Sequence, residues 1–376
     1  MQFLLAPDSY KGTLTAAQVC EIMRRAILTK LPEAVIDAIP MADGGEGTIE
    51  AIVASSNGKV IELDATGPLG APVRSRYGAI QYEGERCAVL EAASLFGLPM
   101  VEQEKRNPLR TTSRGLGDAI RAALDLGFRR FIIGLGGSAT NDGGIGLLAA
   151  LGVRFYNGGG EELYGFGEDL SELERIDWTG LDERIGSCAF TIASDVDNPL
   201  LGRQGATYVY GPQKGATAAM LERLEAAMSA YADVMKKTTG IDLGGTPGAG
   251  AAGGLGFALL HLGGRIVPGA RVVEETSGLK ARIERADWVV TGEGCSDGQT
   301  LRGKAPFHIA RLAEAAGKPA LLVSGSLGRG WEQLLPHYAG CFSTVTYPAG
   351  LDEVLRDAEQ NLYTAVRNAA SLIGRL

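Results

Sequence analysis

The hydrophobic pattern of the chain begins with a short apolar strand followed by an amphipathic helix. After the apolar run of residues 3–6, apolar positions recur every three or four residues, as on one helix face: Val19, Ile22, Met23, Ala26 and Ile27. Thr15 and Gln18 have the spacing of a capping box, which satisfies backbone N–H groups at a helix start. The pattern predicts a strand over Phe3–Ala6 and a helix that ends before Pro32.

Apolar strands alternate with helical segments at both ends of the chain. The predicted strands are Phe3–Ala6, Val35–Ile39, Trp288–Thr291, Ala320–Ser324 and Phe342–Thr346, and an amphipathic helix follows Leu351. Such alternation builds parallel sheets with helices on both faces. We therefore expect an α/β protein in which residues 1–65 and 280–376 form a discontinuous domain with a flavodoxin-like, doubly wound parallel sheet.

The middle of the chain has strands and helices of its own. Strands are predicted at Ala88–Leu90, Arg130–Leu135 and Thr191–Ala193, with helices near 116–126, 145–151 and 217–236. Residues 66–279 are long enough to bury a separate core, so we expect a second α/β domain inserted into the first.

Charge and cysteine usage narrow the class of protein. The formal charge is −8 with no basic patch, which argues against a nucleic-acid partner. No apolar run approaches the roughly 18 residues of a membrane helix, and the N-terminus lacks signal-peptide features. The five cysteines are widely spaced, as in a reducing compartment. We expect a cytoplasmic protein with neither a nucleic-acid nor a membrane partner, and a homo-oligomer is left open.

Glycine-rich or acidic loops follow the first two predicted strands, where open α/β sheets bind ligands. After the first strand, Ser9 and Lys11 offer a donor and a cation for phosphate, although an ordinary turn would look the same. After the second, Asp43 and Glu46 lie among glycines and suit a Mg²⁺-linked loop. They equally suit the positive end of a helix dipole.

Two glycine-rich runs match dinucleotide fingerprints. Gly134–Gly144 fits GxGxxA, and its Ser138 and Thr140 at a helix start also suit an anion cradle. Gly248–Gly253 fits GxGxxG, but no apolar strand precedes it and a close-packed helix start explains it equally well. These matches keep an NAD(P)-dependent oxidoreductase as an alternative. A ligand-binding transcriptional regulator would need a helix-turn-helix and a basic face, and the sequence suggests neither.

The segment Gly292–Lys304, after the strand Trp288–Thr291, is the most informative. Its GxxxxGK spacing resembles a P-loop, but Ala305 replaces the Mg²⁺-binding Ser or Thr and the loop begins too late after the strand. Lys304 still suits phosphate, and Glu293 and Asp297 suit a metal.

Further loops offer polar side chains. Asp195 and Asn198 suit a polyol or Mg²⁺, and Gln213 and Lys214 suit a carboxylate or phosphate, but each pair also fits a capped turn. The basic cluster Arg106–Arg114 would either bind a small anion or cap the next helix.

Nine polar or glycine-rich segments follow one another along the chain. They are APDSYKGTLTA (Ala6–Ala16), PMADGGEGT (Pro40–Thr48), TGPLG (Thr66–Gly70), RNPLRTTSRG (Arg106–Gly115), GLGGSATNDGG (Gly134–Gly144), DVDNPLLG (Asp195–Gly202), GPQKGAT (Gly211–Thr217), PGAGAAGGLG (Pro247–Gly256) and GEGCSDGQTLRGKAP (Gly292–Pro306). In this order they resemble the loops of the bacterial-type glycerate kinase family. The resemblance runs from about residue 3 to 330, and the order of the segments makes it specific.

The resemblance implies transfer of the ATP γ-phosphoryl group to D-glycerate, giving 2-phosphoglycerate or 3-phosphoglycerate. It also implies Mg²⁺ dependence and a substrate cleft between two α/β domains. Members often have Arg and an apolar residue after GEG, where this chain has Cys295 and Ser296, so a cation is missing there.

Phosphoryl transfer requires mainly positioning and cations, which suggests a role for each polar loop. We expect Mg²⁺ to be held by carboxylates drawn from Asp43, Glu293 and Asp297, and Lys11, Lys214 and Lys304 to neutralise phosphate or the glycerate carboxylate. Asp195 is the expected acceptor of the substrate's hydroxyl proton. Contacts with substrate and phosphate are expected from Asp8, Ser9, Ser138, Thr140, Asn141, Asn198, Gln213, Lys214 and Gln299.

Overall fold

A computed structural model describes residues 1–42 and 44–375. Their contacts divide the chain into two compact units. Unit 1 comprises Met1–Asp43, Glu50–Asn57 and Pro268–Leu376, and unit 2 comprises Gly44–Ile49 and Gly58–Val267. Both chain ends belong to unit 1. The boundaries drawn from the sequence, at 65/66 and 279/280, lie somewhat later in the chain than these.

The strands of the two units are short, apart from those of one antiparallel region. They are β1 (Gln2–Leu5), β2 (Val35–Ala38), β3 (Lys59–Thr66), β4 (Pro72–Tyr82), β5 (Glu85–Glu91), β6 (Arg130–Gly134), β7 (Arg154–Asn157), β8 (Leu173–Asp177), β9 (Ala189–Ala193), β10 (Arg265–Val267), β11 (Trp288–Thr291), β12 (Cys295–Ser296), β13 (Ala320–Ser324), β14 (Ser326–Leu327) and β15 (Gly340–Ser343).

The helices connect these strands, and short 3₁₀ turns lie between several of them. They are α1 (Ala16–Lys30), α2 (Thr48–Ser55), α3 (Ala92–Phe96), α4 (Arg114–Asp125), α5 (Ile145–Ala150), α6 (Ala206–Tyr210), α7 (Ala218–Thr239), α8 (Ala251–His261), α9 (Gly269–Ser277), α10 (Leu279–Arg285), α11 (Ala305–Ala315), α12 (Leu351–Arg356) and α13 (Ala358–Ile373). Within the described residues, no helix is both long and apolar enough to span a bilayer.

The sheet of unit 1 has the strand order β15-β13-β11-β1-β2, and all its neighbours are parallel. Numbered along the chain within this sheet, the order is 2-1-3-4-5, which is the flavodoxin-like arrangement. The expected fold class is therefore confirmed. The capping box of Thr15 and Gln18 at the start of α1 is also present.

Helices cover both faces of this sheet. Alternate strand residues form one buried cluster with α1 and α13: Phe3, Leu5, Val290, Leu321 and Val323 with Val19, Met23, Ile27, Leu362, Val366 and Ile373. The intervening residues Leu4, Val289 and Leu322 are fully buried on the opposite face, where α10 and α11 contact the strands. Each fully buried Leu or Phe contributes roughly 1.5–3 kcal/mol to this packing.

The sheet of unit 2 is mixed, with the strand order β10-β9-β6-β5-β4-β3. Strands β5, β6, β9 and β10 are parallel neighbours, whereas β3, β4 and β5 pair antiparallel. Its core includes Leu90, Phe131, Ile133, Phe190 and Ile192. The carboxyl ends of the parallel strands lead into the loops that carry most of the polar residues singled out in this part of the sequence.

Several predicted elements differ from the structure by a few residues at their ends, and two near the C-terminus are described here. The last strand of unit 1 is Gly340–Ser343 rather than Phe342–Thr346; the Thr344 amide still donates to the Ser324 carbonyl at 2.8 Å, just beyond the strand end. The helix predicted after Leu351 is broken at Asp357 into α12 and α13.

Candidate active site

Loops after three neighbouring strands of unit 1 meet at the carboxyl edge of its sheet. The strands are β13, β11 and β1, and the chain changes its direction of winding between β11 and β1. Open α/β sheets bind ligands at such switch points. The Asp8 amide donates to the Gly292 carbonyl at 2.8 Å, and the Gly325 amide donates to the Glu293 carbonyl at 3.0 Å. These bonds hold the three loops together.

Glu293 places a buried carboxylate in the loop after β11, with 7% of the residue exposed. Its Oε1 accepts hydrogen bonds from Ser296 Oγ at 3.0 Å and from Thr300 Oγ1 at 2.7 Å. Its Oε2 accepts one from Lys304 Nζ at 3.1 Å. A carboxylate removed from water needs such donors. The structure therefore brings together two predicted residues, Glu293 and Lys304, with two hydroxyls that the sequence analysis missed.

Lys304 lies at the N-terminus of α11 with 40% of its side chain exposed. The preceding Thr300–Arg302 forms a 3₁₀ turn, so the GxxxxGK spacing does not build a Walker A loop. Just before this turn, Asp297 Oδ1 accepts the Gln299 amide at 2.8 Å, and the Gln299 side chain is exposed. Because an ammonium has three N–H donors, Lys304 can contact both Glu293 and an anion.

The loop after β1 packs closely against the loops after β11 and β13. The Tyr10 hydroxyl donates to the Val323 carbonyl at 2.7 Å. Burial and, to a smaller extent, the charge of Glu293 raise the pKa of Tyr10 well above its usual range. A side chain at Gly292 would overlap the Val323 carbonyl oxygen, so this position requires glycine.

The predicted residues around Tyr10 lie at this same edge. Asp8 is buried, and its Oδ1 accepts the Ser9 amide at 2.6 Å. Ser9 is half-buried and Lys11 is exposed. The structure thus brings Asp8, Ser9 and Lys11 into the loop that is tied to Gly292.

In unit 2, Lys214 is buried against the loop that follows β6. Its Nζ donates to the Thr140 carbonyl at 2.6 Å and to Ser138 Oγ at 3.2 Å. Burial lowers the pKa of Lys214 to about 7, and the charge of Asp142 opposes that shift. Three residues expected to contact phosphate are therefore in mutual contact, and the lysine is enclosed rather than exposed.

Asp142 organises the same loop and was not singled out in the sequence. Its Oδ2 accepts the Ser113 amide and hydroxyl, both at 2.7 Å, and the Gly146 amide at 3.3 Å. Its Oδ1 accepts the Gly144 amide at 3.1 Å. Burial raises the pKa of Asp142, while these four hydrogen bonds lower it. The residue is a fully enclosed anion that fixes the start of α5.

The other predicted residues of unit 2 are divided between buried and exposed positions. Asn141 is fully buried; its Nδ2 donates to Thr207 Oγ1 at 3.3 Å, and its Oδ1 has no hydrogen-bond partner. Asn198 holds its own loop by donating to the Gln204 carbonyl at 2.7 Å. Asp195, after β9, and Gln213 are exposed.

The run Gly248–Gly256 is a packing element. A side chain at Gly253 would overlap the Thr140 carbonyl oxygen, and the Gly143 amide donates to the Gly253 carbonyl at 3.0 Å. Residues 252–254 have positive φ and kink α8. Of the two interpretations of this run, the structure therefore supports the close-packed helix start over a dinucleotide loop.

The basic cluster Arg106–Arg114 makes contacts within the protein. Arg106 donates to the Val101 and Leu98 carbonyls, and the Arg114 guanidinium lies 4.7 Å from the centre of the Tyr164 ring. Ser113 makes no side-chain cap to α4; its hydroxyl donates to Asp142 and accepts the Leu147 amide of α5.

The predicted metal ligands are only partly described. Asp43 lies outside the described residues. Among the residues that are described, no group of three or more His, Cys, Asp or Glu is placed to hold a metal ion. Mg²⁺ in kinases needs only one or two carboxylates, because water and substrate phosphates complete its shell. The carboxylates of Glu293 and Asp297 fit that chemistry, since they lie in one loop beside a lysine suited to phosphate.

Nearly the whole chain is similar to proteins of one known family. Residues 3–374 match the model of the glycerate kinase family. The chain is 43% identical to a glycerate kinase of Bacillus subtilis (strain 168), over 99% of this chain and 98% of the relative. It is 41% identical to a glycerate 2-kinase of Escherichia coli (strain K12), over the same shares of the two chains.

The fold is shared with a solved structure as well. The crystal structure of a Salmonella typhimurium LT2 protein assigned as glycerate kinase 2 superposes with a TM-score of 0.85 at 39% identity, covering 100% of this chain and 98% of that one. Similarity in sequence and in structure over the whole length shows that these proteins belong to one family. The chain therefore belongs to the glycerate kinase family and is an ATP-dependent kinase.

Proposed function

We propose that this protein transfers the ATP γ-phosphoryl group to a hydroxyl of D-glycerate and releases 2-phosphoglycerate, with 3-phosphoglycerate as the alternative product. The observation that carries the proposal is the buried Glu293 carboxylate beside Lys304 at the switch point of the unit 1 sheet. The choice of hydroxyl is supported by the 41% identity with the glycerate 2-kinase of Escherichia coli.

The proposed mechanism relies on positioning and charge, because phosphoryl transfer needs little covalent chemistry from the protein. Lys11 and Lys304 would neutralise phosphate oxygens, and Gln299, Asp8 and Ser9 would orient the reactants. In unit 2, Ser138, Thr140, Asn141, Asn198 and Gln213 would contact substrate or phosphate. Lys214 would act by holding the Ser138–Thr140 loop, which its two hydrogen bonds support.

Asp195 is the proposed acceptor of the proton that leaves the substrate hydroxyl. Its carboxylate is exposed at the carboxyl end of β9, so it can meet a substrate without rearrangement of the core.

Magnesium would be held by Glu293 and Asp297, with Asp43 as the third proposed ligand. When bound, it would supply positive charge to the β- and γ-phosphate oxygens. Lys304 shares the Glu293 carboxylate and would stay beside the same phosphates.

The proposed partners are glycerate and a nucleotide, with neither a nucleic acid nor a membrane, and a homo-oligomer is left open. A cytoplasmic location is supported by the free thiols of Cys20, Cys87, Cys188, Cys295 and Cys341.

The test is to incubate the purified protein with MgATP and D-glycerate and identify the product by ³¹P NMR. The proposal expects 2-phosphoglycerate in the presence of Mg²⁺ and none after chelation with EDTA. Release of 3-phosphoglycerate would assign the other hydroxyl. ATP hydrolysis without any phosphoglycerate would overturn the proposed substrate.

A further inference from the structure

We propose that Ser296 and Ser324 are positioning residues for the Glu293 carboxylate, and that Ser324 acts through Ser296. Their hydroxyls fix the rotation of the carboxylate, so that Oε1 is anchored inside the protein and Oε2 is presented to the reactants. This inference rests on the role proposed for Glu293.

The three side chains form a chain of hydrogen bonds between the loops after two neighbouring strands. Ser324 ends β13 and Ser296 ends β12, and their Oγ atoms are 2.8 Å apart. Ser296 Oγ lies 3.0 Å from Glu293 Oε1. Both serines have no exposed surface, so neither hydroxyl is in contact with bulk water.

The direction of this chain follows from the number of protons. A hydroxyl has one proton to donate, and an ionised carboxylate can only accept. Ser296 therefore gives its proton to Glu293, and Ser324 donates to the Ser296 oxygen. Successive hydrogen bonds of this kind polarise one another, so Ser324 strengthens a contact in which it takes no direct part.

The two carboxylate oxygens of Glu293 have different surroundings. Oε1 accepts from the hydroxyls of Ser296 and Thr300, both fully buried. Oε2 accepts from Lys304, whose side chain is 40% exposed. The oxygen beside the exposed lysine is the one that can reach a ligand. Pre-organised polar groups act best when their neighbours prevent rotation.

The backbone holds the two serines in place independently of their side chains. Strands β12 and β14 pair in parallel, with Ser296 opposite Leu327. The Gly325 amide donates to the Glu293 carbonyl at 3.0 Å, and a side chain at Gly325 would overlap the Gly294 carbonyl oxygen. Removal of a hydroxyl therefore leaves the frame around it intact.

Within the described part of the chain, Lys304, Tyr10 and Tyr338 are titratable groups that interact with Glu293. Lys304 is the countercharge. Burial first, and then the charge of Glu293 among other neighbours, raises the pKa of the Tyr10 and Tyr338 phenols, which stay neutral near pH 7. The hydroxyls and one lysine are thus the groups that orient the carboxylate.

The test compares Ser324→Ala, Ser296→Ala, the double variant and Ser296→Thr. Each alanine variant should lower kcat about tenfold, while the KM for glycerate and the Kd for MgADP change less than about twofold. The double variant should be no slower than Ser296→Ala, because Ser324 acts through Ser296. Ser296→Thr should restore kcat.

A matched control is Thr291→Val, which removes a buried hydroxyl at the end of β11 that donates to the Ala6 carbonyl at 2.7 Å. This variant should lower the Tm and leave kcat within about twofold of wild type. If an alanine variant does not fold at the assay temperature, cysteine replaces it, because a thiol keeps the volume and donates only weakly.

A second readout needs no ligand and no activity. The urea midpoint of the apoprotein is measured for Ser324→Ala, for Glu293→Gln and for the variant that carries both substitutions. The shift of the double variant should be smaller than the sum of the two single-variant shifts. The two side chains would be independent if the shifts add.

The outcomes separate this inference from the proposed function. If Glu293→Gln phosphorylates glycerate as well as wild type does, the proposed role of Glu293 is wrong, and the positioning of that residue has no catalytic consequence. If Glu293→Gln is inactive but Ser324→Ala keeps the wild-type kcat, or the double variant multiplies the separate losses, the hydroxyl relay is overturned.

Discussion

The ammonium of Lys214 lies 2.6 Å from the main-chain carbonyl of Thr140, and only 3% of the lysine is exposed. These two residues are far apart in the chain, and their contact fixes the loop that follows β6. Burial lowers the pKa of Lys214 to about 7, against the smaller opposing effect of Asp142. A lysine in the unfolded chain has a pKa of about 10.4. At a pH between these two pKa values, the unfolded state therefore binds more protons than the folded state does.

This difference predicts that stability rises with pH between about 7 and 10, by at most about 1.4 kcal/mol per pH unit for this one group. Lys214→Met should remove that contribution, because methionine fills the space without a titratable group. Urea unfolding at pH 6.5, 8 and 9.5 measures the effect. The wild type should gain stability relative to the variant as the pH rises, and parallel curves would contradict the prediction.

Asp142→Asn should destabilise the protein by about 2–4 kcal/mol, because four donors point at a buried carboxylate and an amide nitrogen would face at least one of them. The control is Asp177→Asn. Asp177 accepts the Thr179 amide and hydroxyl in the same manner, but at the surface, so its loss should be clearly smaller. Equal shifts of the urea midpoint would show that burial of Asp142 is unimportant.

Gly253→Ala should cost more than about 3 kcal/mol, because the new Cβ would overlap the Thr140 carbonyl at a residue whose φ is +73°. Gly240, at the end of α7, has a similar φ of +76° but open space around it. Gly240→Ala should therefore cost about 1 kcal/mol, the price of the backbone conformation alone. The difference between the two urea midpoints isolates the effect of the close approach.

Asp195→Asn should lower kcat about a hundredfold or more if Asp195 accepts the hydroxyl proton. Its neighbour Asp197 is exposed as well, which makes Asp197→Asn the matched control. The Tm of both variants is measured as well, so that a loss of kcat is separated from a loss of folding. Normal turnover by Asp195→Asn in the ³¹P NMR assay would remove the residue from the mechanism.

Local periodicity was enough to predict β1, α1 and the parallel sheet of unit 1, because each signal lies within a few residues. The hairpin of β4 and β5 was missed, although a usable signal was present. Glu83 and Gly84 both have positive φ and form a two-residue turn between Tyr82 and Glu85, which are paired. Gly84 in an alternating segment is the cue that could have identified it.

The candidate site was only partly predictable for a different reason. Glu293 and Lys304 are close in the chain, so one motif contained both. Ser324 is hydrogen-bonded to Ser296, 28 positions away, and Ser113 to Asp142, 29 positions away. No rule of sequence spacing predicts such pairs. A glycine-rich sequence also fits two different structures. Its missing side chains can leave room for a nucleotide or, as at Gly253, for a carbonyl oxygen of the same chain.

The placement of both chain ends in unit 1 has a consequence for synthesis on the ribosome. Unit 2 ends at Val267, whereas the third strand of the unit 1 sheet begins only at Trp288. Early in translation β1 and β2 emerge without the partner β11 that lies beside β1 in the finished sheet. Unit 2 can therefore fold while the chain is still being synthesised. Strand β1 can pair with β11 only after β11 has left the ribosome.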